Sequence, residues 1–304
     1  MIDRPRLRWA SRWDPAAPYL FLAPFALIFA VFTVLPSVAT FVLAWWQWDP
    51  LGARTWVGAA NFERLAADPR FWTATTNTLA IAAAATIVQV GIALGLAHLV
   101  HRVAGRAVGA LRVSLLVPFV TSGAAVTILV AQLLDRDYGS VNRLLDALGY
   151  PHVDVLAPPW GAWAVVTGIV VWRTFGFTTL LMLAVLSATP RDVFRAAELD
   201  GAGGWAQFRH LSLPLLGPVI AFSVVTSVTG ALQLFTEPLL LDPTGVTCGP
   251  ARQCQTLALL VYEVGFRDFQ FGYAAAVATA VFAIAGAAVG AAALVAGRRL
   301  GWTT

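Results

Sequence analysis

Six stretches of this sequence, residues 15–48, 71–101, 113–134, 155–190, 210–236 and 269–297, contain no Asp, Glu, Lys or Arg apart from Arg173 in the fourth. Outside them the longest uncharged run is ten residues. A hydrocarbon core about 30 Å thick needs about 20 apolar residues of helix at about 1.5 Å each, so each stretch is long enough to cross a bilayer. With 59% apolar and 12% charged residues, the chain does not have the balance of a protein that folds in water. The expected fold is all-α and polytopic, with six transmembrane helices at 18–45, 73–99, 113–134, 162–187, 213–235 and 271–296.

All 20 basic residues are arginine. Without lysine there is no Walker A loop to bind ATP, and no Schiff-base or lysine-nucleophile chemistry. An even number of spans puts both chain ends on one side. That side carries 12 of the arginines, and the opposite loops carry seven together with 11 of the 16 acidic residues. The positive-inside rule makes the arginine-rich side cytoplasmic, so the basic isoelectric point reflects topology rather than nucleic-acid binding. The chain then divides into a cytoplasmic segment 1–17, a first helix and outer loop 18–72, a core 73–297 and a tail 298–304. A cleaved signal peptide is disfavoured: Tyr19–Trp46 is about twice the length of a signal h-region and lacks a clear small-residue cleavage site. Trp45, Trp46 and Trp48 suit the headgroup level, Pro24 and Pro36 are candidate kinks, and Gly91/Gly95 and Gly286/Gly290 are candidate helix-packing positions.

Between the fourth and fifth spans lies the longest charged connector on the arginine-rich side, 188–212. It reads as a helix, a glycine break and a second short helix. Thr189 is the expected N-cap, with Pro190 at the first helical position and Asp192 at the third. Val193, Ala196, Ala197 and Asp200 then share a face of mostly small side chains. Gly201 supplies the left-handed residue after the helix. Trp205, Phe208 and Leu211 give the next helix an apolar stripe before Leu213-Pro214 opens the fifth span.

Ala196-Ala197-x-x-Asp200-Gly201-Ala202, then Phe208 and Leu213-Pro214, resembles the "EAA" loop of permease subunits of ABC importers, in particular their carbohydrate-uptake branch. Phe235-Thr-Glu-Pro238, Thr256-Leu-Ala258, Tyr262 and Gly272-Tyr-Ala-Ala-Ala276 are similar to the stretch leading into the last span of sugar permeases. The resemblance covers about 75–297 and implies a type I importer permease fold. It also implies coupling helices in 188–212 that seat in a cytoplasmic ATPase dimer, which would hold the ATP and Mg. The family's leading glutamate falls on Arg195, a departure that points to a second, non-identical permease as partner.

Candidate positions on the solute's path follow from polar residues in apolar surroundings. Arg173, the one formal charge inside a span, costs about 2.5 to 3.5 kcal/mol at a bilayer centre, so it should face protein or water. It reads as a ligand donor, as an ion-pair partner between helices, or as a snorkelling residue. Trp172, Phe175 and Phe177 offer aromatic faces for a sugar ring or for packing. Gln233, Phe235, Thr236 and Glu237 end the fifth span, where Pro238 is expected to interrupt the helix; Glu237 reads either as a solvated helix end or as a cavity group. Gln89 and Gln132 are weaker candidates. Cys248 and Cys254, which enclose five residues in an expected outer loop, are a candidate disulfide and too few for structural zinc. His98, His101, His152 and His210 make no metal-ligand pattern, and no catalytic constellation appears.

The expected function is therefore a non-enzymatic permease subunit for an oligosaccharide or related polyol. The resemblance implies an extracytoplasmic solute-binding protein, the partner permease and the ATPase as companions in the bilayer. An ion-coupled secondary transporter should show inverted repeats or an acidic residue at the membrane midplane, and a membrane enzyme or scaffold should show a catalytic cluster or an interaction domain; none is evident.

Overall fold

The computed structural model describes residues 17–49, 52–102, 107–242, 245–249 and 251–300. The arginines before residue 17 and Arg106, all used in the charge count, lie outside the described residues. In chain order the elements are α1 (Pro18–Leu43), a hairpin of β1 (Trp46–Gln47) and β2 (Thr55–Trp56), α2 (Ala60–Ala67), α3 (Pro69–Arg102), α4 (Ala107–Val120), α5 (Gly123–Leu134) and α6 (Ser140–Ala147). There follow α7 (Pro159–Ala188), α8 (Arg191–Leu199), α9 (Gly204–Leu215), α10 (Gly217–Leu232), α11 (Thr236–Leu241), α12 (Leu257–Tyr262) and α13 (Phe271–Leu300). Among the described residues, α1, α3, α7 and α13 are each long and apolar enough to cross a membrane. The bent pairs α4–α5 and α9–α10 bring the number to six if each is one span.

The centre of the bundle is α3 packed along α7. They run parallel: Asn77 meets Trp163 near their first turns and Gln89 meets Thr178 further along. Two parallel helices of one chain require it to return between them, and α4–α5 makes that return. Lipid tails are as apolar as leucine, so close packing rather than water exclusion holds such a pair. Gly176 shows this, because a Cβ there would overlap the Leu115 carbonyl of α4. Gly272 likewise admits the backbone of Trp46 against the start of α13. Gly91, Gly95, Gly286 and Gly290 do not act in this way among the described residues, since beyond their own turn of helix none comes within 4 Å of where their Cβ would be. Spacing alone does not say which face of a helix meets a neighbour within the chain.

Two of the expected spans are broken. The third bends by 81° between Val120 and Gly123. Pro118 weakens the end of α4, the Thr121 hydroxyl donates to the Pro118 carbonyl at 2.6 Å, and Ser122, in extended backbone, caps α5 by accepting from the Ala125 N–H. The fifth bends by 68° between Leu215 and Gly217, so Leu213-Pro214 closes α9 and Gly217-Pro218 opens α10. Pro214 also lies just after a wide π turn at Phe208–Ser212, as Pro36 does after one at Ala30–Val34 in α1. The second span is longer than expected and begins at Pro69. α1 stands apart, its apolar side chains exposed, and leans on α13 through Phe41 against Phe282.

Candidate functional site

Arg173 and Glu237, which sequence spacing treats as separate candidates, form an ion pair with Nη1 2.8 Å from Oε1. Glu237 is buried at 5% exposure and is no solvated helix end. The break that frees it lies earlier than expected. α10 stops at Leu232, Gln233 to Phe235 leave the helix, and α11 turns back with Pro238 at its third position, where a missing N–H has no intrahelical partner to lose. Gly123, at the α4–α5 bend, leaves room for the Arg173 guanidinium; a Cβ there would come within 2.5 Å of Nη1. Two helix breaks thus converge on one buried pair.

The pair faces a cavity of about 420 Å³ between α3, α4, α7, α10 and α11. Gln89 bridges its wall, donating to Thr178 Oγ1 at 2.6 Å and accepting from Ser227 Oγ at 3.2 Å. Gln233, Phe235 and Thr236 line it as well. Phe119 and Phe177 stack at 4.7 Å and supply its aromatic surface. Phe175, two positions from Phe177 on α7, is not among the lining residues, and Gln132 is exposed on α5. Arg173 Nε and Ser223 Oγ, both on lining residues, have no hydrogen-bond partner. The hydroxyls of Thr178, Ser223 and Ser227 were legible only as polar residues inside apolar runs.

Toward the hairpin end of the bundle, Cys248 and Cys254 are bonded, with Cα atoms 5.3 Å apart. The loop they close carries Arg252, which grips Glu263 through two bonds of 2.6 and 2.9 Å. Gln255 adds a third bond to that carboxylate at 2.6 Å, and Asn77 of α3 donates to the carbonyls of both Arg252 and Gln255. Burial works against ionisation of Glu263, but the bonds from Arg252 and Gln255 outweigh it and hold the carboxyl below its ordinary range. Asp68 follows the same pattern, with burial outweighed by Arg70 and Tyr273. Thr256 ties this network to the cavity, because its hydroxyl donates at 2.6 Å to the Leu234 carbonyl inside the α10–α11 break. Sequence reading missed this network, whose bonds join residues up to 178 positions apart.

At the opposite end lies the connector. α8 ends as a Schellman turn: Gly201 has φ +79°, its N–H bonds the Glu198 carbonyl, and the Ala202 N–H bonds Ala197 at 2.9 Å. Thr189 does not cap α8. Its hydroxyl turns back to the Val185 carbonyl of α7, and Pro190 stands at the N-cap without a side-chain bond. Phe194 is buried against His101 and the cluster of Ala97, Val100 and Leu186. Phe208 packs edge-on to His98, whose Nδ1 is 3.0 Å from Ser212 Oγ. One side of the connector is therefore fixed to α3. Val193, Ala196, Leu199, Asp200 and Trp205 remain exposed, and Ala197 is half-buried. Arg195 is exposed and pairs with Asp192 at 3.3 Å.

Comparison with known proteins gives one answer. Residues 16–299 match the family of binding-protein-dependent transport system inner membrane components. The chain is 33% identical over 270 residues to the lactose transport system permease protein LacF of Rhizobium radiobacter, covering 88% of this chain and 89% of the relative. It is 30% identical to the trehalose/maltose transport system permease protein MalF of Thermococcus litoralis, covering 88% and 89%. With the arabinooligosaccharides transport system permease protein AraP of Bacillus subtilis the identity is 29%, covering 86% and 82%. Among solved structures, a chain of a bacterial alginate ABC transporter, crystallised with an alginate pentasaccharide-bound periplasmic protein, superposes with a TM-score of 0.81 at 22% identity, covering 93% of this chain and 94% of that one. The fold is that of type I importer permeases. By the family match and these relatives, the chain belongs to the binding-protein-dependent inner membrane components, the membrane-embedded permease subunits of ABC transporters.

Proposed function

We propose that this chain is one permease subunit of an ATP-driven importer for a carbohydrate, an oligosaccharide or related polyol. A binding protein delivers the solute at the hairpin end, which faces outward, and the arginine-rich end faces the cytoplasm. A second, non-identical permease completes the pathway. ATP and Mg are held by a separate ATPase dimer, since this chain has no lysine for a Walker loop. The relatives named for lactose, trehalose/maltose and arabinooligosaccharides support the solute class. So does the cavity, which offers amides and hydroxyls beside stacked phenyl rings. Gln89, Thr174, Thr178, Ser227 and Gln233 exchange hydrogen bonds with sugar hydroxyls, and Phe119 and Phe177 receive the apolar face of the ring. Arg173 and Glu237 neutralise one another, so the buried charge adds little net field to the path.

The observation that carries the coupling assignment is the connector's division into a fixed and an open side. Phe194 and Phe208 lock it onto α3, while Val193, Ala196, Asp200 and Gly201 present a small-residue surface that no described residue covers. A rigid helix with an open face transmits a partner's motion into α7 and α9. Arg195, Ala196, Ala197, Asp200, Gly201, Ala202, Phe208, Leu213 and Pro214 are assigned to that coupling. Gly201→Pro tests it, because proline cannot take φ +79° and removes the N–H bonded to Glu198. The variant should insert normally, yet lose uptake and co-purification of the ATPase; if both survive, the coupling assignment is wrong. The buried Glu237 favours an ion-coupled carrier, but it is paired with Arg173 at 2.8 Å and so is not a lone acidic group in the span region.

A further inference from the structure

A second and larger cavity, about 810 Å³, lies between the β1–β2 hairpin, α2 and the start of α13. It shares no lining residue with the Arg173 cavity, and its volume is within the range of small-molecule sites. Trp48, Asp49, Arg64, Asp268, Phe269 and Gln270 give it its chemistry. Arg54 holds the Trp48 indole from one face, 4.1 Å from the ring centre. Arg64 is spread over the Tyr273 ring, also at 4.1 Å, and of the two lining carboxylates, Asp49 and Asp268, the latter is paired with Arg70 at 3.6 Å.

Two observations point to a ligand. Gln270 Oε1 is a buried acceptor with no hydrogen-bond partner. Phe269 sits at φ +56°, in the left-handed region, just after a helical turn closed by Asp268 N–H to Glu263 and Gln270 N–H to Val264. Glycine would serve that turn without strain, whereas the phenyl ring does nothing for the backbone and stands 55% exposed at the cavity. Aromatic faces with carboxylate and amide acceptors around them suit a ring that is apolar on one face and bears hydroxyl donors at its edge.

We propose that this cavity is a second carbohydrate site, which holds solute at the mouth of the permease apart from the translocation path. It rests on the carbohydrate-importer reading above. The test uses the full chain with its partner subunits in nanodiscs, without the binding protein, probed with lactose, trehalose and maltotriose. Hydroxyl-radical footprinting should show at least one of these sugars protecting Trp48 and Phe269 several-fold. Phe269→Gly should lower the apparent affinity about tenfold with no loss of thermal stability, since glycine accepts positive φ freely, and Gln270→Leu should weaken it similarly. Arg173→Met should leave this protection intact. The proposal is overturned if none of the sugars protects Trp48 and Phe269, or if Phe269→Gly binds like the parent. Failure of the importer reading is separate: it shows as absence of an ATPase from the purified complex, whatever the footprint.

Discussion

Removing one partner of the Arg173–Glu237 pair should cost unequal amounts at the two ends. Breaking a fully buried ion pair costs about 3 to 5 kcal/mol, most of it the penalty of an uncompensated charge. Arg173→Met leaves the Glu237 side chain, 7% exposed, unpaired, which places this variant near the lower end at about 3 kcal/mol. Glu237→Leu leaves a guanidinium that is 29% exposed to the cavity, so about 1 to 2 kcal/mol is expected. The double variant Arg173→Met/Glu237→Leu removes both charges and should fall within about 1 kcal/mol of the parent. For a chain of this size about 1 kcal/mol corresponds to about 2 °C. The melting temperatures of the two single variants, read by intrinsic fluorescence in detergent, should thus drop by about 6 and 3 °C, and that of the double variant should stay within about 2 °C of the parent. A double variant that loses the sum of the two single losses would show that the charges do not depend on each other, and the ion-pair reading of Arg173 would fail. Unchanged stability with altered concentration dependence of uptake would instead make Arg173 a direct solute contact.

Other parts of the structure make independent predictions. Cys248→Ser opens a short loop whose closure is worth about 2 kcal/mol, so its melting temperature should fall by about 4 °C, and reductant should lower the parent equally but not the variant. Against the opposing effect of burial, Arg252 and Gln255 hold the Glu263 carboxyl low; its stabilisation is therefore complete above the ordinary glutamate range and lost as pH falls through its folded-state value. Thermal stability should drop below about pH 4, and Glu263→Gln should be less stable at neutral pH with a flatter acid limb; an acid limb unchanged by the substitution would contradict this. Gly176→Ala drives a methyl into the Leu115 carbonyl and should destabilise by at least about 2 kcal/mol, whereas Gly95→Ala meets open space and should gain up to about 1 kcal/mol of helix propensity. Equal effects at the two glycines in a melting assay would refute the packing described for α4 and α7.

What was legible in the sequence follows from the range over which each signal acts. Charge-free length is a local property imposed by the bilayer, so the apolar spans could be placed from composition alone. The Schellman turn at Gly201 and the open face of α8 depend on residues within one helix, and their spacing carries them. The bends at Thr121–Ser122 and Leu216 were hidden because the flanking apolar runs are continuous. The prolines that weaken them, Pro118 and Pro214, are tolerated in many transmembrane helices without a break. Arg173 and Glu237 stood out singly as polar groups in apolar surroundings, but their pairing joins residues 64 positions apart and depends on both bends. Thr189 shows a local signal misassigned, since its hydroxyl is satisfied by the helix that ends before it rather than by the one that follows.

The central claim is that α8 is the contact through which an ATPase moves this permease. A cysteine introduced at Ala196, on the exposed face of α8, tests it in native membranes. With a short thiol-reactive cross-linker it should form an adduct with an ATPase chain, at a yield that changes between nucleotide-free and ATP-bound membranes, while a cysteine at exposed Leu79 of α3 should not. Free labelling at Ala196 by a membrane-surface reagent in every nucleotide state, with no adduct, would contradict it.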